Sequence, residues 1–295
     1  MLVEKDREKR IPYVAGTFYP EEKAVLEDYL RSTLQRAEDE LLINQKKNSE
    51  RDSLSKSKIK AIMLPHAGYI YSGYVAAHGF AALRLSKNFH KVNKVVLLGD
   101  SHRDYLKKAT AASYGKWETP LGDIDTYSFA EQGNDIDINS EIHDYEHILE
   151  VHIPFIQTIN QQIKINPILM GDNPTDLTKV ILNEDDDNTI ILLSTDMSHY
   201  LDAKSASKKD RMSIEAILEY NFDYFRNHEN TVCSKSSLEV LLRYAKRKNL
   251  KPRLVKYSHS GEISGDNTKV VGYSLSLIHI SEPTDRTRSR MPSSA

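Results

Sequence analysis

The chain lacks several features that would assign its class at once. Its 295 residues hold a single cysteine, Cys233, so no internal disulfide can form; that fits a reducing, cytoplasmic setting. No apolar run is long enough for a membrane span, and the opening MLVEKDREKR is too polar for a secretory signal. Neither sign of charge dominates: 40 Lys and Arg stand against 42 Asp and Glu, a net charge of -2, so no global field favours nucleic acid or a membrane surface as partner. No internal repeat is evident. What is present is an ordinary soluble composition, 39% hydrophobic and 28% charged, long enough for a sizeable core, with eleven His and sixteen Tyr as its mild excess.

Strand-like and helix-like runs alternate. IKAIMLPH, KVVLLGDSH, IKINPILMGD and TIILLSTDMSH read as strands, and EEKAVLEDYLRSTLQRAEDELL and SGYVAAHGFAALRLS as helices. ATAASYGKWETPLGDIDTYS carries the turn signals of a hairpin. HILEVHIPFIQTIN reads as helical with Pro154 near its start. Helices are expected over Ala203 to Phe225 and Ser236 to Lys248, and the last part reads as two strands about a turn-rich loop. The pattern predicts an α/β fold: one domain with a largely parallel central sheet flanked by helices. That domain is expected to span 1–274, with a polar, solvated insertion at about 44–58. Residues 275–295, LSLIHISEPTDRTRSRMPSSA after the strand KVVGYS, can be written back as DNA resembling sequencing adapters. They are expected to be a non-native tail, a natural disordered tail being the alternative, and His279 carries no functional weight.

Three apolar runs end in polar residues. AIMLPH ends at His66, VVLLGDSH passes Asp100 to reach His102, and IILLSTDMSH reaches Asp196 and His199. Polar side chains belong at a rim, not in a core. In open α/β sheets ligands bind beyond the carboxyl ends of the strands, so three parallel strands would carry His66, His102 and His199 to one edge. One such His is ordinary loop polarity; three after separate strands point to a shared site, since imidazole is a metal ligand and a proton carrier near neutral pH. Two readings of Cys233 stand. It precedes an expected helix with Ser234 or Ser236 as cap, where a thiolate is favoured, or it is a small buried hydrophobe. Two imidazoles and a thiolate would leave positions open and suit iron, copper or zinc over magnesium or calcium.

A second cluster is YEHILEVHIPF. On a helix Glu146, His147 and Glu150 share a face and His152 points elsewhere. The spacing is not the zincin one, and Glu150 either orients a ligand His or belongs to a solvated acidic face. HAGYIYSGYVAAHG sets Gly68, Gly73, Tyr69 and Tyr71 between a strand and a helix, where an anion could sit; it lacks the phosphate-loop and dinucleotide patterns, so no nucleotide cofactor is expected.

PHAGYIYSG, LLGDSH, EHILEVHIPF, LSTDMSHY and TVCS occur in an order that resembles the Memo family, with RIPYVAGTFYP and VVGYS at the edges, from Arg10 to Ser274. The resemblance implies the single-domain fold of class III extradiol dioxygenases of the LigB type. It also implies a metal site of His66, His102 and Cys233 with Asp196 and His199 beside it. In the dioxygenase relatives a carboxylate holds the third ligand position. A thiolate is softer and itself oxidisable, which weakens the case for ring cleavage. The family further implies copper- or iron-dependent redox behaviour and phosphotyrosine-peptide binding in eukaryotes, and association with radical-SAM and AMMECR-type proteins in microbes.

Three functions follow as expectations. The first is a redox protein holding iron or copper, with zinc as a further fit, in which His199 and Asp196 handle protons. The second is a binding module whose cleft, lined by Tyr69, Tyr71 and Trp117, takes a peptide or an anion. The third, by fold analogy, is a dioxygenase or hydrolase.

Overall fold

Successive side chains of a strand point to opposite faces of its sheet, and a sheet covered on both faces therefore needs strands that are apolar throughout. The computed structural model describes residues 8–47, 54–129 and 136–280. The first half runs β1 (Lys9–Arg10), α1 (Lys23–Lys47), β2 (Lys58–Leu64), α2 (Tyr74–Leu85), β3 (Lys94–Asp100), β4 (Ala109–Ala111), β5 (Lys116–Thr119), β6 (Gly122–Asp125) and β7 (Ile136–Ile138). There follow α3 (Ser140–Asp144), α4 (Ile153–Ile159), β8 (Lys164–Met170), α5 (Pro174–Glu184), β9 (Thr189–Ser194) and β10 (His199–Leu201). The chain closes with α6 (Ala203–Leu218), α7 (Phe222–Asn227), α8 (Lys235–Arg247), β11 (Lys251–His259), α9 (Gly261–Ser264) and β12 (Val270–Ile280).

The main sheet has the order β10-β12-β2-β9-β3-β8-β4-β7, with β11 also paired to β12. β2, β9, β3 and β8 are neighbours and parallel. The pairs that flank them, β12 with β2 and β4 with β8, are antiparallel. The predicted α/β domain is thus present, with a parallel centre and antiparallel margins. The predicted hairpin is β5–β6, which joins β1 in a separate small sheet.

Alternation divides the core in two. Ile62 and Leu64 of β2, Val95 and Leu97 of β3, and Ile190 and Leu192 of β9 pack on the face covered by α1, α2 and α4. Ala61 and Met63, Val96 and Leu98, and Ile191 and Leu193 pack on the other face with residues of α5, α6 and α8. Among the described residues no helix is long and apolar enough to cross a membrane.

Three expectations change. The stretch from Ala203 to Phe225 is two helices: Tyr220 takes φ 56°, and Asn221 starts α7 by accepting the Tyr224 N–H, a cap that apolar spacing alone passes over. The polar stretch at 44–58 begins inside α1, which runs to Lys47; residues 48–53 lie outside the described residues. β12 continues past Ser274 to Ile280, pairing with both β2 and β11, and Leu275, Leu277 and Ile278 are buried. The expected domain edge therefore falls inside a strand. The rest of the expected tail, 281–295, lies outside the described residues.

Candidate metal centre

Because β2, β9 and β3 are parallel neighbours, the segments that leave their carboxyl ends meet at one edge of the sheet. There one ligand atom from each of His66, His102 and Cys233 lies within 4.8 Å of the others. The rings of His66 and His102 pack edge to face at 5.0 Å, and the His147 ring lies 5.6 Å from each. His199, expected with them, is not in this group. The chain beyond β9 turns into β10, where His199 pairs with Val271 of β12, and Asn230 clamps its backbone N–H and C=O at 2.8 Å each. His147, from the loop before α4, stands against the two strand-end rings instead.

The ring nitrogens have a common arrangement. Nδ1 of His102 meets the Asp100 carbonyl at 3.0 Å, Nδ1 of His147 the Glu146 carboxylate at 3.2 Å, and Nδ1 of His199 the Met197 carbonyl at 2.9 Å. These oxygens only accept, so each Nδ1 carries a hydrogen, and in the neutral ring the lone pair is then on Nε2. Metal-binding histidines show this pattern, with the second nitrogen donating to a carbonyl or carboxylate. His66 turns Nε2 to Cys233 Sγ at 3.4 Å and Nδ1 to Ser194 Oγ at 2.8 Å.

Asp196 binds the parts together. Its carboxylate accepts the His66 backbone N–H at 2.9 Å and approaches His66 Nε2 to 4.0 Å. Its own backbone N–H donates to Cys233 Sγ at 3.1 Å, and its carbonyl takes the Cys233 N–H at 3.2 Å. Glu146 accepts the backbone N–H of both His102 and His147, at 2.7 and 2.9 Å. Burial would raise the Glu146 carboxyl, but the His147 ring and the His102 N–H outweigh it and hold it at about 2.

Several expected pocket residues prove to have other tasks. Asp100 is the cap of α8: its carboxylate accepts the N–H groups of Ser236 and Ser237, both at 2.8 Å, and the Ser237 hydroxyl at 2.6 Å. Burial nevertheless pushes the Asp100 carboxyl up. The expected serine caps do not act: Ser234 gives its hydroxyl to the Ser194 carbonyl. Glu150 is fully buried, paired with Arg10 at 2.7 Å and accepting the Tyr13 and Val14 N–H groups and the Tyr19 hydroxyl. It neither faces solvent nor touches a cluster histidine. His152 is buried beneath the cluster, where burial, and then the His66 ring, lower its pKa to about 3. Of the expected aromatic cleft, Tyr71 alone is exposed, at 41%. Tyr69 is in the core with its hydroxyl on the Val151 carbonyl, and Trp117 is 1% exposed beneath Arg10. Tyr71 reaches the surface from a single π-helical turn, Tyr69–Gly73, that follows the loop after His66.

Sequence reasoning missed Ser194, Arg10 and Asn230. A serine closing a strand in LLSTD looks like loop polarity, and Arg10 lies far along the chain from the glutamate it pairs with, so neither has a local signal. Beside His102 the surface opens into a depression of about 350 Å³ lined also by Arg103, Tyr105, Met170 and Asp172.

The sequence profile of the Memo-like protein family matches residues 10–277. A MEMO1 family protein of Desulfurococcus amylolyticus is 34% identical over 291 residues, covering 92% of this chain and 99% of that protein. One from Sulfurisphaera tokodaii is 33% identical, covering 90% of this chain and 97% of its own. One from Thermoplasma acidophilum is 34% identical, with coverage of 92% and 99%.

Proposed function

The chain belongs to the Memo-like protein family, and from that premise we propose that it is a transition-metal redox protein whose metal is held by His66, His102 and Cys233. The observation that supports this most is the donor set. Two imidazoles and one thiol lie within 4.8 Å of one another, and the His102 Nδ1–H is already spent on a carbonyl, which leaves its Nε2 free to ligate. Soft sulfur with imidazole suits iron or copper, and zinc also accepts these donors. Bound iron or copper would supply one-electron chemistry.

The remaining residues orient and carry protons. Asp196 holds the His66 backbone on one side and the Cys233 sulfur on the other. Cys233 would hold the metal as thiolate, so binding would release the thiol proton. In this reading His147, packed against the rings of both proposed ligands, is the proton carrier. A second reading, a binding module, draws support from Arg103. Its guanidinium lines the depression beside His102 and lies 5.1 Å over the ring of the partly exposed Tyr13, a setting for an anionic or aromatic ligand.

Elemental mass spectrometry after anaerobic purification tests the first reading. Roughly one iron, copper or zinc per chain is expected in the wild type, and loss of it in Cys233→Ala and His66→Ala. No metal after reconstitution with iron(II), copper(I) and zinc(II) would exclude it and leave the binding module.

A further inference from the structure

Ser194 closes β9 with its side chain fully buried, between two histidines that come from different parts of the chain. Its Oγ lies 2.6 Å from the Ile148 carbonyl oxygen, 2.8 Å from His66 Nδ1 and 2.9 Å from His152 Nε2. A hydroxyl has one proton to give and two lone pairs to accept with. The Ile148 oxygen can only accept, so the proton goes there. Both ring nitrogens must then donate, and the hydroxyl is saturated.

We propose that Ser194 is a positioning residue that selects the tautomer of His66, holding hydrogen on Nδ1 and so presenting the Nε2 lone pair toward Cys233. An unprotonated Nδ1 would set lone pair against lone pair at 2.8 Å in a site closed to water. The register fixes the distance: Ser194 pairs with Leu64 of β2, two residues before His66, and the Thr195 N–H bonds the Leu64 carbonyl at 2.8 Å. A hydroxyl suits this place better than the carboxylate that serves His147. It accepts two N–H groups without bringing a charge into the base of the sheet edge. The third bond, to Ile148, ties the loop carrying Glu146 and His147 to the same strand, so one oxygen sets two of the rings in relation to each other.

The proposal rests on reading the cluster as a metal site, but its first test does not need a metal. In the metal-free full chain, nitrogen-15 spectra of labelled histidine separate a hydrogen-bearing ring nitrogen from a bare one. Wild-type His66 is expected to carry hydrogen at Nδ1; hydrogen at Nε2 overturns the proposal whatever the variants do. In Ser194→Ala the preference is expected to relax toward Nε2–H, and Ser194→Thr, which keeps the hydroxyl, to restore it. An unchanged nitrogen pattern in a folded Ser194→Ala also overturns it. With zinc(II) as a redox-silent probe, Ser194→Ala is expected to bind about 10- to 100-fold more weakly, with Ser194→Thr near wild type. If the wild type binds no zinc(II), iron(II) or copper(I), the metal reading fails, while the nitrogen pattern still decides the part of Ser194.

Discussion

Glu146 and Glu150 lie four residues apart, and their chemistry diverges because one faces the cluster and the other the N-terminal segment. Glu150 neutralises Arg10, whose guanidinium also donates to the carbonyls of His143 at 2.6 Å and Glu146 at 2.9 Å and lies 4.3 Å over the ring of Trp117. Removing one member of a buried pair leaves the other charge uncompensated, a cost of about 3–5 kcal/mol. Glu150→Ala is therefore expected to lower stability by that amount in urea unfolding, while the folded fraction keeps its metal affinity. Glu146→Gln is expected to reach the site as well: a loss in metal affinity of about 10- to 100-fold, because the anchor of His102 and His147 is weakened, together with lower stability at neutral pH, because the buried carboxylate that accepts their N–H groups is lost. Equal effects of the two variants on metal affinity would refute the division.

Two elements place the sulfur. α8 begins just after Cys233, and its exposed N–H groups are met by Asp100 from the end of β3, so the strand that leads to His102 also fixes the helix that follows the cysteine. β12 lies between β2 and β11 and carries the layer through Ile280. Leu275, Leu277 and Ile278 are buried there, and burying each such side chain stabilises by about 1.5–3 kcal/mol, a sum comparable with the whole stability of a domain. A chain cut after Ser274 is thus expected to unfold at much lower urea than one cut after Ile280. Matching midpoints would mean that this part of the strand adds nothing to the core.

Over the whole molecule, the buried histidines set the response to acid. Burial lowers His143 to about 4, despite its bond to the Thr110 carbonyl, and lowers His152 to about 3. In the unfolded chain both would titrate near 6.5. Below that pH the unfolded state takes up protons that the folded state refuses. Stability is therefore complete above about pH 6.5 and falls as pH drops toward 4 and 3, with a limiting slope of about 1.4 kcal/mol per pH unit for each histidine. Glu146 and Glu40, both held at about 2, deepen the loss below about pH 4.5. Urea unfolding of the metal-free chain at pH 7.5 and pH 5 measures this, and His143→Gln is expected to reduce the difference. Equal stability at the two pH values would contradict the assignment.

Local chemistry made much of this legible. The apolar runs predicted the strands, because a strand covered on both faces has no polar side to show. The residues that end them predicted the edge where His66 and His102 meet, because polar groups at strand ends must lie at a rim. The order of motifs carried the family. What the tertiary structure alone decided is the partnership of residues distant along the chain. His147 packs against the rings of His66 and His102, while His199 pairs with Val271 because β10 is drawn to β12. Asp100 caps a helix rather than lining a pocket, Glu150 answers Arg10 rather than a ligand, and Ser194 joins His66 to His152. Each of these depends on which strand lies beside which, and strand order is set by packing across the whole sheet, for which no local stretch of sequence carries a signal.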